Sequence, residues 1–270
     1  MTRRRLITST VLAGVLVLTA ASTSAPAAHP DPLDRDLDLV ASANASAAEP
    51  AVTDDAFGSD VARWRSVKAD VVATGSAACD GCDAAGTALQ VLYVSRGGEA
   101  RLDNTATAWT QGCGQCAATA LSVQVVVLRG VPTIVPNNRA LAATAACESC
   151  RATGVAYQVV VASRHADRLS REALAALRAW VAEQAAALRT PVPVAVPEPA
   201  EPSPAPTSPS ASPSDDTTEP PAPVARRGRV KAERRAQRSA DVALGTLEDL
   251  VAGDLGAVPV SADSDVELSR

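Results

Sequence analysis

Residues 79–94 read CDGCDAAGTALQVLYV, residues 113–128 read CGQCAATALSVQVVVL, and residues 147–162 read CESCRATGVAYQVVVA. Each Cys pair (Cys79/Cys82, Cys113/Cys116, Cys147/Cys150) stands 34 positions after the previous one. Other columns keep the same period. Gln90, Gln124 and Gln158 follow eight residues after the second Cys, and Asp70, Asn104 and Asn138 precede the first by nine. An internal repeat organises this part of the chain. Its length is that of a tetratricopeptide repeat, but the helical pattern of that repeat is absent. The apolar runs are rich in Val and Thr and alternate, which reads as strand.

Each Cys pair encloses two residues: Asp80-Gly81, Gly114-Gln115 and Glu148-Ser149. Asp-Gly is a strong two-residue hairpin signal, Gly-Gln is compatible with one and Glu-Ser is weak. The expectation is therefore a mainly β fold, an antiparallel meander of three hairpins tipped by the Cys pairs. Val72 would pair with Leu89, Ala106 with Val123 and Ala140 with Tyr157. Turns at Arg96-Gly97-Gly98-Glu99 and across Gly130–Asn137 would join the hairpins. Alternation then puts Leu89/Val91, Leu121/Val123/Val125/Val127 and Val155/Tyr157/Val159/Val161 on one apolar face. Thr105, Thr107, Arg139 and the three Gln residues fall on the opposite, polar face, where Gln90, Gln124 and Gln158 form a candidate ligand-facing row. The segment from Ser170 to Leu188 supplies the cover as a C-terminal helix. Ser170 can cap it, and Leu174, Leu177, Val181 and Leu188 recur at helical spacing. A shorter helix over Asp60–Val67, carrying Trp64, would join the same layer.

Composition confines the core to the middle of the chain. All six aromatic residues and all six cysteines lie between Phe57 and Trp180, and twelve of the 19 prolines lie between Pro191 and Pro223. Thr2-Arg3-Arg4-Arg5, the uncharged run Leu6–Ala21 and the small residues up to Ala28 form the three-part pattern of a signal peptide. The apolar run is short for a membrane span of about 20 residues, so no span remains after cleavage. The organisation read from the sequence is a signal peptide at 1–28, a disordered linker at 29–58, a CxxC-repeat β domain with its helix at 59–190, a Pro-rich spacer at 191–224 and a charged tail at 225–270. Within that tail the run Arg226–Arg238 holds seven basic groups and one acidic, and residues 239–270 reverse the balance, with Leu244, Leu247, Val251 and Leu255 at the spacing of a short amphipathic helix. The basic run is a candidate contact for cell-wall or other anionic polymers. The whole chain carries −5, which argues against a nucleic-acid partner.

Export makes disulfides the first reading of an even cysteine count. In a meander, alternate strands stand about 9.6 Å apart, beyond the Cα separation of about 7 Å that a bridge tolerates. The expected pairing is therefore Cys79–Cys82, Cys113–Cys116 and Cys147–Cys150. Two other chemistries use the same residues. Two Cys-x-x-Cys knuckles can hold one tetrahedral zinc ion, but 30 residues between pairs exceed the usual 15–20, a third pair is left over and no His lies near a tip. Thiol–disulfide exchange is the other, but the helix N-terminus that activates such pairs in thioredoxin-like folds is missing. No other motif supplies chemistry. His165 lies at a strand end, Glu99 and Asp103 are loop charges, and no phosphate loop or His-Glu-x-x-His appears. No catalytic residue, metal or cofactor is called for.

The pattern Asn104/Ala106/Ala108/Cys113/Cys116/Thr119/Gln124, repeated as Asn138/Ala140/Ala142/Cys147/Cys150/Thr153/Gln158, resembles CxxC-repeat proteins secreted by high-GC Gram-positive bacteria. The first copy departs from it at Asp70 and Ala85. The resemblance covers about Asp70–Val161, implies export and supplies no mechanism. The expected role is a non-enzymatic structural or interaction module of the cell surface. An extracytoplasmic thiol–disulfide oxidoreductase or a zinc-binding protein using the CxxC rim is the alternative.

Overall fold

The computed structural model describes residues 34–63, 66–95, 98–130, 133–164, 168–190 and 223–270. The expected signal peptide and nearly all of the Pro-rich spacer lie outside these residues, as do Trp64 and His165.

The chain is a two-sided β-solenoid of about three turns, not a meander of hairpins. One sheet contains β1 (Asp34–Asp36) and β2 (Leu39–Ala45), both beside β4 (Ser66–Ala77), followed by β6 (Glu99–Gln111) and β8 (Thr133–Ala145). The other stacks β3 (Ala51–Ala62), β5 (Asp83–Val94), β7 (Ala117–Leu128) and β9 (Arg151–Ala162), and ends in β10 (Val258–Ser269). All pairs are parallel except β9 with β10. Each repeat is one coil: a strand, a corner and a second strand that turns into the opposite sheet. A strand therefore pairs with its counterpart one repeat later, not with its chain neighbour. Leu89 stands beside Val123 and then Tyr157, and Gln90 beside Gln124 and then Gln158. The expected partners Val72 and Leu89 belong to different sheets.

The physical reason is the repeat itself. Parallel, in-register stacking places each column of like residues against itself at about 4.8 Å, so Val packs on Val and amide bonds amide. A meander would leave the same identities without a purpose. Small side chains bring the two sheets close together. Ala73, Ala88, Ala106, Ala118, Ala120, Ala152 and Ala156 fill one band of the interior, and larger Val67, Leu92, Leu102, Val126 and Val160 fill another. At Gly86 an added Cβ would collide with the Thr74 carbonyl across this gap, and at Gly154 it would lie 2.8 Å from the Leu141 carbonyl oxygen. Glycine is required there by close approach of backbones.

The second core lies outside the solenoid. The expected apolar set, from Leu89 and Val91 to Val159 and Val161, forms the outer face of the second sheet. α1 (Arg171–Arg189) covers it as anticipated, with Ser170 as N-cap accepting from the Ala173 amide at 3.0 Å. Leu177, Trp180 and Val181 are its buried face. The Trp180 ring meets Tyr157 edge-on at 5.3 Å.

Three expected segments take other structures. Residues 29–58 were expected to be disordered, yet positions 34–58 supply β1, β2 and most of β3, the first coil. Their Ala alternation matches the interior, where Ala41 and Ala43 are fully buried. The short helix expected over Asp60–Val67 is replaced by the end of β3 and the start of β4. The charged tail forms α2 (Pro223–Leu255) and β10. α2 buries Leu247, Val251 and Leu255 on the same sheet face as α1, and its Asp254 accepts from both the amide and the hydroxyl of Ser170, at 2.8 and 2.6 Å. β10 closes the far end. Its Asp265 takes the edge amide of Ala140 at 2.8 Å, as Asp54 takes that of Ser42 at the near end, at 2.6 Å. Carboxylates on exposed edges block further strand addition.

Candidate functional site: the cysteine corner

Every Cys pair lies in the corner that carries the chain from the first sheet to the second. The residue before the second Cys is left-handed in each copy: Gly81 at φ 68°, Gln115 at 56° and Ser149 at 56°. That conformation suits Gly81 and carries a steric cost at the other two. The corners are then bonded rung to rung. The Gly81 amide donates to the Gly114 carbonyl and that of Gln115 to the Glu148 carbonyl, both at 2.8 Å. Asp80 Oδ1 accepts from the Gly114 amide at 2.6 Å. Gly112 and Ala146 add one left-handed residue to the later two corners. The first copy is therefore shifted by one in the preceding strand: Asn104 stands beside Val71, while Asp70 turns outward to Lys68 at 2.8 Å.

Cα separations are 5.3 Å for Cys79/Cys82, 6.2 Å for Cys113/Cys116 and 5.7 Å for Cys147/Cys150. These close pairs are consistent with disulfide bonds in the expected pairing. The reason given for that pairing does not survive, because stacked corners approach as closely as paired strands. Sulfurs of adjacent rungs meet: Cys113 lies 3.5 Å from Cys147, and Cys116 lies 3.0 Å from Cys150. Cys113, Cys116 and Cys150 are buried, and Cys147 is partly so.

What faces these sulfurs decides their reactivity. Cys150 Sγ lies 3.2 Å from the Cys113 carbonyl oxygen, and Cys113 Sγ lies 3.7 Å from that of Ala77. Thr110 Oγ1 stands 3.5 Å from Cys147. The polar groups beside Cys113, Cys147 and Cys150 in these contacts are oxygens. The environment that activates redox cysteines is a positive one.

The glutamine row has a different place from the expected ligand-facing one. Gln90, Gln124 and Gln158 point into the solenoid and are 1 %, 0 % and 2 % exposed. They form a direct amide ladder, Gln158 donating to Gln124 at 2.7 Å and Gln124 to Gln90 at 3.0 Å. Each also donates across the interior, to the carbonyls of Leu102, Ala69 and Leu37. Asn104 answers from the opposite sheet, donating to Asn138 at 2.7 Å and to the Tyr157 carbonyl at 2.9 Å. Buried polar groups in a thin apolar interior must be paired, and in-register stacking pairs them. The sequence displayed these columns, but the expected strand spacing hid their partners.

Other candidates are absorbed by the surface or the second core. Glu99 pairs with Arg101 at 2.8 Å and Asp103 with Arg139 at 3.3 Å, so they do not form a carboxylate pair. Lys231 and Arg235 of the basic run line an apolar cavity of about 560 Å³ between α1, α2, β9 and β10, together with Arg151 and Arg270. Tyr157 reaches the same cavity. Burial, aided by the charge of Asp241, pushes its phenol up to about 12. No described helix is long and apolar enough to cross a membrane. No protein-family model, curated protein or solved structure matches the chain.

Proposed function

We propose that this chain is an exported, non-enzymatic β-solenoid module of the cell surface, with a structural or interaction role and a corner stapled by three local disulfides. The observation that carries the reading is the stack of three Cys pairs at one corner, each at bridge-forming separation. Disulfides of this kind belong to oxidising compartments. The signal-like N-terminus and Pro-rich spacer agree with such a location. The repeated Gln and Asn residues are spent on internal bonding, and Cys113 and Cys150 face backbone carbonyls, which supports a structural rather than a reactive role. A basic run on α2 remains the candidate contact for anionic cell-wall polymers.

The test is expression of the full chain in a Gram-positive host, with N-terminal sequencing and labelling by a thiol reagent that does not enter cells. The reading expects processing near Ala25–Ala28 and a protein reached from outside whose cysteines resist the reagent until reduced. An unprocessed chain retained in the cytoplasm with six free thiols would overturn it.

A further inference from the structure

Thirty residues between Cys pairs exceed the usual zinc-knuckle spacing of about 15–20, a third pair is left over and no His lies near a tip. In a solenoid that sequence separation is a single coil, and it returns the chain to the next rung of the same corner. The Sγ atoms of Cys113, Cys116, Cys147 and Cys150 consequently all lie within 4.8 Å of one another. The four contacts between the two pairs are 3.0, 3.5, 3.6 and 3.9 Å. A tetrahedral ion with Zn–S bonds of about 2.3 Å separates its sulfurs by about 3.8 Å. Three of the four distances are within a few tenths of an ångström of that edge.

We propose that, once its two bridges are reduced, this pair of corners forms a four-sulfur site for one zinc-class divalent ion, with Cys113, Cys116, Cys147 and Cys150 as ligands. Cys79 and Cys82 pack in the same apolar cluster, but the group of sulfurs all within 4.8 Å of one another is Cys113, Cys116, Cys147 and Cys150, and the rung beneath the first pair turns at Ser46–Glu49, where there is no cysteine.

Opening each pair from bonding distance to the tetrahedral edge needs only side-chain rotation. The Cα separations of 6.2 and 5.7 Å are already those of a knuckle spanning two residues, and the rung-to-rung amide bonds hold the corners together. The chemistry balances with a phosphine as reductant. Each bridge takes two electrons from one phosphine and water, giving two thiols and a phosphine oxide. Binding of the ion then releases the four S–H protons. Because the ligands bind as thiolates, affinity should rise with pH. Soft thiolate ligation selects zinc-like or cuprous ions over magnesium or calcium.

The inference concerns the corner on which the proposed function rests, and the two can fail separately. Alkylation of untreated protein reports on the bridges, and metal titration of the reduced protein reports on the site. The test uses the full chain, reduced with a water-soluble phosphine under anaerobic conditions and titrated with Co²⁺, then with Zn²⁺. The expected result is one equivalent of tetrahedral, thiolate-ligated cobalt, displaced by one equivalent of zinc. Zinc should shield four of six cysteines from alkylation and leave Cys79 and Cys82 reactive. Cys116→Ser and Cys147→Ser should each weaken binding at least about 100-fold, whereas the double variant Cys79→Ser/Cys82→Ser should bind as the parent does. Circular dichroism of the reduced, metal-free chain separates loss of fold from loss of ligands. Absence of a tetrahedral cobalt spectrum from a folded reduced chain would overturn the proposal. So would a stoichiometry other than one, or equal dependence on Cys79 and Cys82. A reduced chain that is unfolded without metal supports it only if one equivalent of zinc restores the β spectrum; failure to do so overturns it.

Discussion

Replacing Gln124 by Met keeps the side-chain length and removes both polar atoms from the middle of the buried ladder. Three hydrogen bonds vanish: those from Gln124 to Gln90 and to the Ala69 carbonyl, and that from Gln158 to Gln124. Gln90 Oε1 is then left without a donor in a region closed to water, while Gln158 keeps its bond to the Leu102 carbonyl. A stranded buried acceptor costs about 1–3 kcal/mol, and each lost bond adds about 1 kcal/mol. The apolar thioether returns part of this, so the net loss should be about 2–4 kcal/mol. For a fold of this size that corresponds to a fall in Tm of roughly 4–16 °C. The triple variant with Met at 90, 124 and 158 strands no side-chain amide. Its cost should therefore fall well below the sum of the three single losses. Equilibrium urea unfolding with the disulfides intact measures both effects. A single-variant loss under about 0.5 kcal/mol, or strict additivity in the triple variant, would refute the buried amide ladder as a coupled, stabilising network.

Three further outcomes follow from the same geometry. Gly86→Ala drives a methyl group into the Thr74 carbonyl of the opposite sheet, and urea unfolding should show a loss of about 3 kcal/mol or more. Gln115→Gly and Ser149→Gly relieve left-handed residues at φ 56°; after the entropic cost of glycine, each should be neutral or stabilise by up to about 1 kcal/mol, read as a raised urea midpoint. The Tyr157 phenol, raised from 10.0 to about 12 by burial and by Asp241, is held neutral by the fold. An unfolded chain ionises first, so the stabilisation is complete below pH 10 and is lost as pH rises to about 12, by about 3 kcal/mol in all. Tyr157→Phe should abolish that part of the alkaline decline when the two proteins are compared at about pH 9 and about pH 11.5.

Local pattern in the sequence was sufficient for the apolar face and its cover. Leu89 to Val161 alternate as strands do, and Ser170 opens a helix whose apolar residues recur at helical spacing. Both readings need only neighbours along the chain. What alternation does not encode is which strand lies alongside. Asp80-Gly81 suits a tight hairpin and also suits a corner that turns the chain into a second sheet, because both place Gly81 in the left-handed region. The choice between them lay in Gln90, Gln124 and Gln158. Identical amides recurring at one column are explained by stacking on each other, which only a parallel ladder allows. Residues 34–58 were obscured for a related reason. Ala, Ser and Asp in alternation resemble a solvated linker unless the interior is thin enough for alanine to fill it. The spacing of Leu244, Leu247, Val251 and Leu255 announces the apolar face of α2, but where it docks, and the existence of β10, depend on contacts with β8, β9 and α1 that no local pattern carries.

The central claim, a solenoid corner stapled by three local bridges, is tested most directly by the mass of the isolated full-length protein. It is alkylated without prior reduction, digested without reduction, and the linked peptides are identified. The account predicts no alkyl groups, a mass six hydrogens below that of the thiol form, and the links Cys79–Cys82, Cys113–Cys116 and Cys147–Cys150. Free thiols at any of the three pairs, or a link between coils such as Cys113–Cys147, would contradict it.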